Sequence, residues 1–397
     1  MAKQYDLIIV GAGMVGSLAA VLLAKSSMRI ALVDKHDGNY QLAQPPAYDT
    51  RVSAISSQSK DLFDEAGVWQ HIDPNRYTGY QRMAVWDGLG QGFIDFDAVT
   101  TERSVLGYMI ENTVLCDQLM TQIKRLSNVD LYLGESLAEH QISSAGAKIT
   151  LASGALLGAQ VVIGADGALS KLRVGNQFDT LEWDYQHHAI VATIQIAQSH
   201  QNTAWQSFGE EGVLAFLPLP STSEGHFVSI GWSVSPEDAE QLMTLDDEAF
   251  CQRVHYAINR EFDVVGMTRP RQMIPLRQRH AKQYVKPGIA LIGDAAHTIH
   301  PLAGQGANLG FSDVKALAQV LSKAFRRGES LADEKVLRRY QRACMLDNIS
   351  MSMGMELFKR AFSSQHPLFV QGRNLAMSCV HRQPALKTRL MSRAGGK

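Results

Sequence analysis

Leu7-Ile8-Ile9-Val10-Gly11-Ala12-Gly13-Met14-Val15-Gly16 is the stretch that decides the fold of this 397-residue chain. Its four leading apolar residues read as a buried strand, and the Gly-x-Gly-x-x-Gly that follows opens a helix expected to run to about Lys25. A second apolar strand, Ile30 to Val33, ends in Asp34 and Lys35. Strand, glycine triplet, helix, strand and acid thus fall within the roughly 30 residues of a dinucleotide-binding unit. The glycines allow the tight turn, the approach of a pyrophosphate and close helix–strand contact, and Asp34 would accept from an adenosine ribose. Residues 7 to 24 carry no charged side chain, which also fits a membrane span or a signal peptide. Asp6 before the run, the glycines inside it and the lack of a small-residue cleavage site favour the buried unit.

Two further stretches repeat the pattern of an apolar strand delivering an acid. Val161-Val162-Ile163-Gly164-Ala165-Asp166-Gly167 runs from a strand into Asp-Gly, then toward a helix carrying Arg173. Taken alone, Asp-Gly after a strand is usually only a turn. Ile289 to Ile292 lead into Gly293-Asp294-Ala295-Ala296-His297-Thr298-Ile299-His300-Pro301-Leu302-Ala303-Gly304-Gln305-Gly306, and an amphipathic pattern begins at Ala307-Asn308. Strand, polar crevice and helix N-terminus can hold an anionic or electron-accepting ring against backbone N–H groups. Gly304 and Gly306 let backbone approach a flat ligand where a Cβ would intervene. Three such segments in one chain are hard to read as ordinary turns.

The trio resembles the class A flavin monooxygenases, the p-hydroxybenzoate hydroxylase-like group. The resemblance implies that Gly11, Ala12, Gly13, Met14, Val15 and Gly16 bind the ADP half of FAD, with Asp34 and Lys35 at the ribose. It further implies that the Gly-Ala-Asp-Gly segment around Asp166 supports FAD and NAD(P)H handling. Asp294, Gly304, Gln305, Gly306, Ala307 and Asn308 would meet the ribityl chain and flavin. His300-Pro301-Leu302-Ala303-Gly304-Gln305-Gly306-Ala307-Asn308-Leu309-Gly310 with Asp313 is similar to the signature of the ubiquinone-biosynthesis hydroxylases. So are Arg51-Val52-Ser53-Ala54-Ile55-Ser56 and the 106–115 segment containing Asn112. The resemblance covers essentially all 397 residues, and the tail after 335 is closest to the branch acting on late, benzoquinol-stage intermediates. Many relatives carry Glu where this chain has Asp34, and either acid accepts from a ribose hydroxyl.

Composition agrees. A formal net charge of −1 and 19% charged residues argue against a nucleic-acid partner held by bulk electrostatics. Cys116, Cys251, Cys344 and Cys379 show neither metal spacing nor a paired framework, which suits a reducing cytosol. A chain of this length is expected to hold more than one core.

The expected fold class is α/β: a discontinuous Rossmann-like FAD-binding domain, an antiparallel-sheet substrate domain and C-terminal helices. The first would comprise 1–74, 111–180 and 276–345, and the second 75–110 and 181–275. The helical region would be 346–397. Alternating patterns at 189–194, 212–217 and 227–233 read as antiparallel strands, and 237–260 as a helix. After Glu356 no acid occurs, whereas Lys359, Arg360, Arg373, Arg382, Lys387, Arg389, Arg393 and Lys397 are interleaved with apolar residues. Two readings stand for this tail. It is a surface for an anionic membrane or a multi-enzyme complex, which would put a cytoplasmic protein at the periphery of the inner membrane. Alternatively, it is a packed helix with solvated cations.

Mechanism would follow from the cofactor. NAD(P)H would reduce FAD, and the flavin would capture O2 as a C4a-hydroperoxide that passes OH to an electron-rich ring. The resemblance sets the Pro301 carbonyl beside the reactive carbon. His297 and His300 are candidate acid–base groups because imidazole titrates near neutrality. Arg51 is the expected flavin-site cation. The favoured substrate is a polyprenylated phenol or benzoquinol, since the 183–235 strands are apolar and poor in Arg. A hydroxylase of a small soluble aromatic acid and a flavin-binding scaffold without turnover are the alternatives. The intact nucleotide segments speak against the scaffold.

Overall fold

The computed structural model describes residues 2–88, 90–100, 104–259, 261–298, 306–363, 367–383 and 387. Among these, the parallel core of one sheet runs Ile289–Leu291, Leu156–Gly164, Lys3–Val10, Ile30–Asp34, Val129–Leu133. Its strands are apolar at their centres, as at Leu7–Val10, Ile30–Val33 and Val161–Ile163, because both faces are covered there. The Met14–Ala24 helix lies against it, buried from Gly16 to Ala24. No charge interrupts residues 7–24 because this unit forms the centre of the main core. No helix among the described residues is long and apolar enough to cross a membrane.

A second sheet runs His297–Thr298, Gln272–Ala281, Thr180–Ile196, His226–Val234, Gly212–Pro218, Thr203–Gly209, Arg82–Asp87, Phe93–Asp97. Its pairs are antiparallel except one, since Arg82–Asp87 joins Thr203–Gly209 in parallel. One face buries Ile190, Ile194, Phe216, Ile230 and Trp232 against helical residues such as Leu242, Phe250 and Val254. The helix expected over 237–260 is two, Pro236–Thr244 and Asp247–Ala257. Asp246 causes the break by accepting from Ala249 N–H at 2.8 Å, an N-cap that starts a new helix.

Of the strands expected from 75–110, two join this sheet. Tyr77–Tyr80 instead pairs with Gly107–Glu111, which pairs with Val52–Ser56 in a separate three-stranded sheet. The expected divide between 275 and 276 falls inside the Gln272–Ala281 strand. Helices Gly306–Arg326, Glu334–Ser363 and Pro367–Arg382 follow among the described residues.

Candidate active site

Strand register brings the distant motifs to one edge. Val10 stands opposite both Gly164 and Val33, and Gly164 opposite Leu291. The chain therefore leaves the sheet at the same level in all four strands, setting Gly11, Asp34, Ala165–Asp166 and Gly293–Asp294 around one crevice. Ligands of open α/β sheets bind outside such carboxyl ends.

Each glycine of the triplet answers a different demand. Gly11 has φ +106°, and a Cβ there would lie 2.2 Å from Ala165 O. A Cβ on Gly16 would meet Gly11 O at 1.9 Å, so Gly16 sets the closeness of helix and strand. Gly13 is the opposite case, exposed and with nothing within 4 Å of a built Cβ. It caps the Met14–Ala24 helix at ψ −176°, with no side chain covering the free N–H groups. This is open space above a helix N-terminus, where a pyrophosphate fits. Asp34 accepts from Ala12 N–H and, at 2.7 Å, from His36 N–H, so it holds the loop as well as facing the crevice. Lys35 is exposed beside it. Val15 packs toward Gly293 and Gly310, both of which lack a Cβ where one would crowd it. Asp166 accepts from Leu172 N–H at 3.2 Å through one oxygen, while the other is buried without a partner. An orphaned carboxylate oxygen beside a nucleotide-type loop fits a hydroxyl-rich ligand.

The opposite rim is residues 293–298. Gly293 turns the chain at φ +59°, and the Asp294 side chain is exposed within a crevice walled by protein. Desolvation pushes its carboxyl up, while the charges of His297 and Arg51 pull it down. His297 is buried, with Nε2 2.6 Å from Asp313 Oδ2. Burial alone would lower its pKa, but Asp313 in contact lifts it above the ordinary imidazole value. The ring expected to exchange protons with a substrate is thus engaged beneath the crevice. His300, Pro301, Gly304 and Gln305 lie outside the described residues.

Sequence reasoning missed what surrounds this pair. Asp313 also accepts from Gly293 N–H at 2.9 Å and from Asn348 Nδ2 at 3.0 Å. Tyr284 OH lies 3.4 Å from Asn348 Nδ2 and 3.2 Å from His280 Nε2. No local pattern joins residues 280, 284, 313 and 348. Only Asp313 was visible, as part of a signature.

Arg51 is exposed, and Asn112 backs it by donating its N–H to Arg51 O at 3.0 Å and accepting from Ser53 Oγ at 2.6 Å. The loop before Arg51 is held by a buried ion pair also invisible in the sequence. Arg76 Nη2 meets Glu111 Oε2 at 2.6 Å, Arg76 Nη1 donates to Ala43 O, and Asp49 N–H donates to Glu111 Oε1 at 2.7 Å. Asn308 is bonded to the 54–59 segment, accepting from Ser56 N–H at 2.9 Å and Ser59 Oγ at 2.8 Å and donating to Ala54 O at 2.7 Å. It ties the start of its helix, with Ala307 beside it, to the strand carrying Val52.

The second sheet turns its other face to this region. Thr193 Oγ1 donates to Asp49 O at 3.1 Å, and Val52 packs on the cluster of Tyr48, Leu219 and Phe227 and, like Leu217, on that of Ala54, Met109 and Ala204. Across that face the register aligns Val191, Gly231 and Ala215, with Val213 and Leu217 on either side along the strand. These five are partly open, and a Cβ on Gly231 would meet nothing within 4 Å. The result is an apolar floor of small side chains with no Lys or Arg among them.

The FAD binding domain family model matches residues 4–347. The chain is 36% identical over 394 residues to the 3-demethoxyubiquinol 3-hydroxylase of Escherichia coli K12, covering 98% of each. It is 31% identical over 435 residues to the mitochondrial ubiquinone biosynthesis monooxygenase COQ6 of Homo sapiens, covering 98% of this chain and 92% of that one. Its fold is similar to that of P. aeruginosa PqsL in complex with 2-aminobenzoylacetate, with TM-score 0.78, 20% identity and coverage of 93% and 99%. It is also similar to p-nitrophenol 4-monooxygenase PnpA of Pseudomonas putida DLL-E4, with TM-score 0.79 and 16% identity over 100% of both chains. The α/β architecture with its roofing sheet is therefore that of the p-hydroxybenzoate hydroxylase-like enzymes. The chain belongs to the FAD-binding-domain family and, within it, to the FAD-dependent monooxygenases of ubiquinone biosynthesis.

Proposed function

We propose that this enzyme hydroxylates the aromatic ring of a polyprenylated phenol or benzoquinol intermediate of ubiquinone biosynthesis, with O2 as co-substrate and NAD(P)H as reductant. The observation that carries this reading is the apolar floor of Val191, Gly231, Ala215, Val213 and Leu217. A small aromatic acid would require a cation facing its carboxylate, and none of these floor positions supplies one. The names of the relatives, a demethoxyubiquinol hydroxylase and a ubiquinone biosynthesis monooxygenase, point the same way. Neither supports a scaffold without turnover.

In this reading the 11–16 loop holds the pyrophosphate of FAD, Asp34 the ribose, and Asp166 and Asp294 hydroxyl groups farther along. Arg51 offsets negative charge at the ring system. FAD supplies the oxygen-activating chemistry when bound. The protein orients the phenol and keeps water away, which is where rate is gained once a cofactor carries the hard step. Segments 1–74, 111–180 and 276–345 serve the cofactor, while 75–110 and 181–275 serve the substrate, with the Gln272–Ala281 strand shared. We place the protein in the cytoplasm, at the inner membrane's periphery when its tail meets lipid or a multi-enzyme complex.

Mass spectrometry of quinone intermediates in a strain lacking the gene tests the reading. The expected result is a precursor one hydroxyl short, a methylated and methoxylated benzoquinol for the late step. Unchanged ubiquinone in a strain with no redundant hydroxylase would refute it.

A further inference from the structure

One buried carboxylate touches both ends of the segment that carries Asp294. Asp313, fully buried on the Gly306–Arg326 helix, accepts from the backbone of Gly293 at 2.9 Å and contacts the His297 ring at 2.6 Å. Between those ends Arg173 Nη1 donates to Ala295 O at 3.0 Å, and Ala281 N–H donates to Ala296 O at 2.8 Å. Every residue of the turn is thereby held by its backbone or its ring, and the Asp294 carboxyl alone makes no hydrogen bond to a described residue. A turn gripped so completely around one free acid is an aiming device.

The charges are arranged to the same end. Asp313 and His297 form a buried pair in direct contact at 2.6 Å, the geometry a buried acid and imidazole require. Burial raises the Asp294 pKa, and the charges of His297 and Arg51 both oppose that rise and favour its ionised form. Other groups pack around the pair. Arg279, His280 and Tyr284 come from the adjoining strand and its end, Arg173 from the Lys171–Gly175 helix, and Tyr340 and Cys344 from the Glu334–Ser363 helix. His280 stacks 6.4 Å from His297 by ring centroid, and burial followed by the His297 charge pushes it down to about 4, so it stays neutral. Tyr284, Tyr340 and Cys344 are all raised, first by burial, and stay protonated. Arg173 and Arg279 are committed to the 168 and 295 carbonyls and to Glu182. His297 is left as the positive charge beneath Asp294.

We propose that Asp313 and His297 are positioning residues of the flavin crevice: together they fix the 293–298 turn and set the imidazole charge behind the Asp294 carboxyl that faces FAD. The proposal rests on FAD being the cofactor, and the experiment separates the two. Apoprotein is titrated with FAD by flavin fluorescence from about pH 8 to about pH 5.5, comparing wild type, His297→Gln and Asp313→Asn. Asp313→Asn keeps an oxygen for Gly293 N–H and is satisfied on its other side by a flip of the Asn348 amide. It therefore removes charge with little change of shape.

Wild type should hold FAD with the smaller pH dependence, because Asp313 in contact raises the His297 pKa. Both variants should bind within about threefold of wild type at the alkaline end. They should lose a further tenfold or so at the acid end, where the Asp294 carboxyl no longer has the His297 charge opposing its protonation. Adding Asp294→Asn to His297→Gln should abolish that extra pH dependence. Should His297→Gln prove insoluble, Asp313→Asn is judged by the same criterion. Variant curves that run parallel to wild type, whether coincident or uniformly weaker, would overturn the proposal and leave the pair as packing. A wild type that fails to take up FAD at any pH would instead sink the cofactor assignment.

Discussion

Gly13 and Gly16 are identical in composition and opposite in environment. A side chain at 16 must displace the backbone of Gly11, whereas one at 13 enters open space. Gly16→Val should therefore yield no folded protein. Gly13→Val should fold with a cost of about 1 kcal/mol for a poorer N-cap and lose FAD, because the branched chain fills the room the pyrophosphate needs. Flavin content and circular dichroism on the same sample check this, and normal flavin occupancy would contradict the assignment. Asp294→Ala, at an exposed side chain, should keep the fold and weaken FAD. Both positions were legible because the glycine spacing and the strand-end acid are local signals. Asp313's partners were not. The strand, helix and loop carrying His280, Asn348 and Gly293 meet only after folding, and each looks ordinary in its own segment.

Elements are held in register by groups whose burial has a pH signature. His200 closes the turn between the Thr180–Ile196 and Thr203–Gly209 strands. Its Nε2 lies 2.9 Å from Leu219 O, and its Nδ1 accepts from Asn202 N–H at 3.1 Å. That arrangement needs a neutral ring, since a second proton would face a donor with a donor. Burial pushes the pKa from 6.5 down to about 4. The folded state then binds fewer protons than the unfolded chain between those values. Stability from this site is fully present above pH 6.5 and falls on acidification toward about 4, by about 3 kcal/mol. His200→Gln should flatten that part of the stability–pH curve in urea titrations, and an unchanged slope would refute the role. The Arg76–Glu111 pair makes a sharper case. Removing one partner of a buried pair typically costs about 3–5 kcal/mol, so Arg76→Leu should shift the urea midpoint strongly, while Arg253→Leu, at a half-exposed pair, should not. The strands themselves were readable from apolar runs and alternation. The split at Asp246 was not, because an Asp inside a helical pattern reads equally as a solvated helix residue and as a cap; nor was the pairing of Tyr77–Tyr80, because a choice between two sheets is settled by contacts distant in sequence.

At the scale of the molecule, the tail meets the second sheet at the end away from the Gln272–Ala281 strand. Arg373 binds Asp87 through Nε at 2.6 Å and Nη2 at 2.8 Å, both side chains buried, and Met377 packs with Val85 and Phe208. Lys387 and His381 both reach Asp95, at 2.8 and 3.1 Å. The sequence presents eight cations after Glu356 as one basic surface, yet Arg373 and Lys387 are already neutralised by the body and are poor candidates for contact with lipid headgroups. Arg382 remains exposed, as do the apolar Leu346, Met353 and Leu375. Each cation near an anionic surface contributes on the order of 1 kcal/mol, and that part weakens as salt shortens the screening length. Apolar contact is not removed by salt. Co-sedimentation with anionic vesicles should therefore fall along a salt series to a plateau rather than to zero, and neutral vesicles should start near that plateau. Arg382→Glu should lower the anionic curve at low salt only. Arg373→Glu should act differently, since it sets a second anion against buried Asp87. It should lower thermal stability strongly, because the tail helix would lose its anchor on the Arg82–Asp87 strand. If wild type and Arg382→Glu sediment equally on both lipids at every salt concentration, this face of the tail is ordinary packing, and a polyprenyl substrate must arrive through a partner protein.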